Sequence, residues 1–131
     1  MGQRVRTAAP PGDIRTFTAV CHNANGHVQN DIVKVQDTVC VVYFEPTVVF
    51  GATFYPIYHC EKIVVDKRAG TAYAAIAGQK VYWSGIDGDP VYPFYRSGFY
   101  WIGIFTEAAG AFDTTAEIDL KGDKASLTEP L

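Results

Sequence analysis

No long run of a single charge occurs anywhere in these 131 residues, and the formal net charge is only −3. A protein that holds nucleic acid through its phosphates carries a basic stripe that displaces counterions. The nearest equivalent here is Arg4, Arg6 and Arg15, too thin a cluster, so no nucleic-acid partner is expected. An uninterrupted apolar span is missing as well. The most hydrophobic region, residues 39–59, is broken by Glu45, Pro46, Gly51 and Pro56 and reads as short strands instead of a membrane helix. The opening MGQRVRTAAPPGD lacks the apolar core of a secretory signal, and Arg6 stands where a myristoylation signal takes Ser or Thr. No membrane partner is expected. Cysteine is sparse and odd in number, and Cys21, Cys40 and Cys60 are expected as free thiols in a reducing cytosol. Sustained helical periodicity is also lacking. The one candidate helical turn, residues 106–112, is interrupted by Gly110.

What the sequence does have is aromatic and β-branched side chains, the former at 14% of residues, a mixture that favours pleated sheet. Ile14, Thr16, Thr18 and Val20 alternate with Arg15, Phe17, Ala19 and Cys21, the period of a strand. Further strands are expected at 31–35, 39–44, 47–50, 53–65 (interrupted at Pro56), 81–83 and 115–120. Residues 91–95 and 99–106 read as a hairpin around Arg96-Ser97-Gly98. Turn residues recur every ~8–12 positions, as in a barrel or sandwich. The expectation is a mainly β chain: one compact barrel- or sandwich-like domain with little helix, spanning 14–120. An extended arm, 1–13, precedes it and a polar tail, 121–131, follows.

Candidate chemistry was sought among groups able to ligate or attack. Cys21, His22, His27, Cys40, His59 and Cys60 are all competent zinc ligands. Their spacing is poor, because neighbours on a strand point to opposite faces, and no C-x-x-C or H-x-x-x-H pair occurs. A Cys–His nucleophile has no local support, since no helix start follows a cysteine to lower its pKa. Ser84 and Ser97 lie outside any G-x-S-x-G elbow. The scattered carboxylates Glu45, Glu61, Asp66, Glu107 and Glu117 are more simply surface residues. No cofactor is expected. The aromatic set Tyr92, Phe94, Tyr95, Phe99, Tyr100 and Trp101 is different. On strands it places aromatics on both faces, one for the core and one for a subunit interface.

The second half carries a recognisable order of motifs: Asp66-Lys67, then Gly78–Trp83 (GQKVYW), Ile102-Gly103, Glu107-Ala108-Ala109, Asp113-Thr114 and the closing strand Ala116–Leu120. In that order and spacing the chain resembles the cement, or decoration, proteins of tailed-bacteriophage heads, over about half its length. The resemblance implies a non-enzymatic β-domain that binds the outer surface of an assembled capsid and stabilises it. Its partners would be the major capsid protein and copies of itself, as a homotrimer. The protein would be made in the host cytoplasm and end on the virion's outer surface. Arg4, Val5 and Arg6 of the arm would contact the capsid, and Tyr92 to Trp101 would supply the subunit interface. Two readings from other classes stand beside it. One is a small metal-binding or enzymatic barrel using Cys21, Cys40, His59 and Cys60; the other is a carbohydrate-binding or adhesion module built on the aromatic strands.

Overall fold

Alternating apolar residues become strands, and turn residues become breaks, across residues 13–125, which a computed structural model of the chain describes. The strands are β1 (Ile14–Thr16), β2 (Ala19–Val20), β3 (His27–Val28), β4 (Ile32–Val35), β5 (Thr38–Val41), β6 (Thr47–Val48), β7 (Thr53–Phe54), β8 (Ile57–Asp66), β9 (Lys80–Trp83), β10 (Val91–Tyr92), β11 (Tyr100–Phe105) and β12 (Thr115–Lys121). One turn of 3-10 helix, Gly122–Lys124, follows, and no α-helix occurs among the described residues. The domain is mainly β. Its main sheet runs β10-β9-β11-β12-β8-β5-β4, with β1 joined to β8 off this path, and curls into a half-barrel.

Two local expectations are corrected, and the one helical candidate is extended chain and turn instead. Residues 91–95 and 99–106 do not form a hairpin: β9 lies between β10 and β11 and pairs with both. Inserting GQKVYW between them gives each aromatic strand a paired neighbour. The alternating run 14–20 splits after Thr16, where the register against β8 shifts. Beyond the break β2 pairs with β7 instead, while Phe17 packs edge-on against Tyr58 at 5.7 Å. Residues 106–112 hold no helical turn. Ala109 and Ala75 exchange both backbone hydrogen bonds at 2.9 Å, and Gly110 N–H donates to the Asp113 carboxylate at 2.8 Å.

Burial explains why this arrangement holds. Along β12, Ala116, Ile118 and Leu120 point inward, and they join Ile63, Val65, Val81, Trp83, Ile102 and Phe105 in the barrel core. Each such large side chain contributes about 1.5–3 kcal/mol on leaving water. Strand β5 is buried on both faces. Val39 and Val41 belong to the barrel core, whereas Cys40 and Val42 face a second core with Cys21, Val33, Val48 and Phe54. The uninterrupted apolar run Val39-Cys40-Val41-Val42 is the sequence trace of that double burial. Over this second core lie two small sheets, β2–β7 and β3–β6.

Both ends of the main sheet are covered, as edge strands require. At β4, Gly88 N–H donates to Ile32 C=O at 2.8 Å, and Asp87 accepts from Lys34 N–H at 3.4 Å and from Asn23 Nδ2 at 3.3 Å. The 84–90 loop thus spans the open side of the half-barrel. At β10, Arg68 N–H donates to Val91 C=O at 2.9 Å. Lys67 is buried there, and its ammonium donates to the carbonyls of Arg68, Asp113 and Ala111 at 2.8, 3.3 and 3.4 Å. Strand β12 runs one residue past the expected domain end, to Lys121, and Gly122 after it is buried.

Candidate functional site

The thiols are placed where chemistry is least available. Cys21 and Cys40 are buried in the second core and Cys60 in the barrel core, and all three are free. Burial pushes the Cys40 thiol up to about 12, the opposite of what a nucleophile or thiolate ligand needs. His22 is exposed while its neighbour Cys21 is buried. His27 packs its ring on Phe54 at 5.5 Å, and His59 Nε2 lies 4.0 Å from the Asp13 carboxylate. Among the described residues, no group of three or more His, Cys, Asp or Glu is close enough to hold a metal. The structure therefore does not bring Cys21, Cys40, His59 and Cys60 together.

The aromatic segment is largely spent on the domain itself. Tyr92 is buried and touches Tyr73, Phe94 and Phe99, with ring centroids 5.9, 5.9 and 4.8 Å away. Its hydroxyl donates to Asp89 Oδ2 at 3.3 Å, and Ser84 Oγ donates to the same oxygen at 2.6 Å. Burial, then the Asp89 charge, pushes the Tyr92 phenol above its ordinary value. Trp83 Nε1 donates to the Asp89 carbonyl at 3.1 Å, so one short loop satisfies three side chains of this region. Arg96 stacks over Phe94 at 4.9 Å. Tyr100 leans on Trp83 at 6.1 Å and receives the Lys34 ammonium over its ring at 5.5 Å. Tyr95 covers Tyr82 at 5.6 Å, while Trp101 is half-buried opposite Tyr82. Of the six residues only Tyr95 is exposed. Arg4, Val5 and Arg6 lie outside the described residues.

A groove of about 620 Å³ opens beside β4, lined by Phe17, Val20, His22, Asn23, Lys34 and Asp87 among others. Its most polar group, the Asp87 carboxylate, is already engaged in covering the β4 edge.

Six of the ten large hydrophobic residues exposed among the described residues lie instead on or beside the two small sheets. Val20, Val28, Phe44, Val49, Phe50 and Tyr55 are exposed there, from 38% to 68%. Strand alternation puts them there: Phe54 and Val48 point into the second core, so their neighbours Tyr55 and Val49 point out. Hydrogen bonds hold the display rigid. Gln29 N–H donates to Pro46 C=O at 3.0 Å and its side chain to Tyr43 C=O, bracketing Phe44, whose ring also meets Tyr43 at 5.2 Å. Glu45 Oε2 accepts from Tyr55 N–H at 3.0 Å. Val49–Ala52 is a turn closed by Ala52 N–H to Val49 C=O at 3.0 Å, with Gly51 at φ 84°. Gly51 is the residue that tolerates that left-handed position. Cys21 clamps the turn, donating to Ala52 C=O at 2.9 Å and accepting from Gly51 N–H at 2.8 Å. Sequence reasoning missed this face. Its one local signal was Val49-Phe50 entering a turn, where polar residues are the rule.

Compared with family models, curated proteins and solved structures, the chain has no match.

Proposed function

We propose that this chain is a non-enzymatic decoration protein that binds the outer surface of an assembled phage head and stabilises it by contact. The observation that carries the reading is a contrast of exposure: the thiols are buried in the two cores, while large apolar side chains on and beside the small sheets are offered to solvent. Such a domain works by touching partners. The order of motifs from Asp66 to Leu120 directs the reading to capsid decoration, with the major capsid protein as the principal partner. The segment carrying Arg4, Val5 and Arg6 is its proposed capsid contact. Many modest contacts repeated over a shell gain from multivalency, and binding only the assembled state stabilises that state.

Co-sedimentation with empty phage capsids tests this, comparing intact protein with a chain lacking residues 1–13. The intact protein is expected to pellet with capsids and the shortened one to stay in solution. Failure of the intact protein to bind overturns the reading, whereas equal binding by both overturns only the arm's part in it.

A further inference from the structure

We infer that the outer face of the two small sheets, centred on Val49 and Phe50, is a self-association surface whose occupant is a second copy of this chain. The first support is size. Six large side chains at 38–68% exposure add to about 600 Å² of surface on one copy, the upper end of the patches that ordinary monomers show. Two copies meeting there would bury roughly 1,200 Å², where specific interfaces begin.

The second support is charge. The chain is net negative, so a contact between copies needs a neutral meeting place. Val20, Val28, Phe44, Val49, Phe50 and Tyr55 carry no charge at neutral pH. The two carboxylates beside them are engaged within the chain: Glu45 accepts from Tyr55 N–H and Asp31 Oδ2 from Val28 N–H, both at 3.0 Å. One apolar patch meeting itself needs no separate complementary surface.

The third support is rigidity. The clamp from Cys21, the Gln29 bonds and the Glu45 bond fix the main chain that carries the apolar side chains, which lowers the ordering cost of association. The aromatic residues 92–101, expected at a subunit interface, are by contrast mostly packed among themselves. The self-contact is therefore assigned to the small sheets instead. This inference does not rest on the capsid reading, because it concerns the free protein in solution, and either can fail alone.

Sedimentation velocity of the free protein over a hundredfold concentration range tests it. The wild type is expected to shift from monomer toward dimer as concentration rises. Val49→Asp with Phe50→Asp is expected to remain monomeric throughout, at unchanged circular dichroism. Phe112→Asp is the control. Phe112 is 72% exposed, but its turn bonds to Gly70, beyond the far end of β8 from Tyr55, and its substitution is expected to leave the dimer intact. A wild type monomeric at every concentration, or an association that survives the double substitution, overturns the inference. Should the double variant not fold, hydrogen exchange of the wild type decides. Slower exchange at residues 44–55 at high concentration supports the surface, and unchanged exchange there overturns it.

Discussion

Gly122→Ala is the sharpest test of how the C-terminal end is built, because a single methyl group should fail there for purely steric reasons. Gly122 is buried at the start of the 3-10 turn. A Cβ at this position would run into the Val39 carbonyl oxygen and lie 2.8 Å from the Val39 carbonyl carbon and 2.9 Å from Tyr58 O. All three are backbone atoms, and Val39 is held in the β4–β5 pair. Relief therefore requires moving β5 or lifting the chain end from the barrel. Overpacking ordinarily costs about 1–3 kcal/mol, and contact with a fixed backbone sets this case at the upper end, about 3 kcal/mol or more. For a domain of this size that corresponds to roughly 10 °C in Tm. Gly78→Ala is the matched control: its φ is 88° with nothing within 4 Å, so only left-handed strain of about 1 kcal/mol applies. Thermal and urea unfolding of the two variants should separate them clearly. A Gly122→Ala protein as stable as wild type, or less affected than Gly78→Ala, would refute the claim that residues 121–125 are built into the domain.

Three further outcomes are expected. Asp89→Ala strands the Ser84 and Tyr92 hydroxyls and should cost about 1–3 kcal/mol in urea unfolding, with red-shifted Trp83 fluorescence as its neighbours loosen. Lys67→Met should lose a similar amount, about 1–3 kcal/mol, as three carbonyls lose a charged donor, and should also alter the alkaline stability profile. Burial, partly offset by Asp113, holds the Lys67 ammonium below its ordinary 10.5. The unfolded chain then binds more protons between the folded value and 10.5, so Lys67's contribution to stability rises with pH through that window. Tyr92, raised above its ordinary 10.0, acts the other way above that pH, so the wild type minus Lys67→Met difference is the quantity to read. Finally, a thiol reagent at neutral pH should find almost no reactive cysteine in the native protein and three after denaturation, since all three are buried and Cys40 titrates only near 12. Rapid native labelling would refute that placement.

Much of the fold was legible because period-two alternation is a local property. The alternation Ala116, Ile118, Leu120 names the inward face of β12, and Val81 and Trp83 name that of β9 with no knowledge of partners. Asn25-Gly26 and Pro56 likewise mark chain breaks through their own backbone preferences. The candidate site was far less legible. Alternation states which side chains share a face but not what covers that face, so it could not show that Tyr73 packs against Tyr92 and Phe94. The same limit hid the outer face of the small sheets: Thr53-Phe54-Tyr55 alternates equally well with either side buried.

By itself, then, the sequence determined the strand-rich class, the neutral-to-acidic surface and the positions of the turns, all consequences of side-chain type and near neighbours. Only the tertiary structure decided three things. It put β9 between β10 and β11, made β5 the shared wall of two cores, and left Val49, Phe50 and Tyr55 exposed while burying Tyr92. Each depends on which distant strand arrives as a partner, and that is settled by burial of the whole chain.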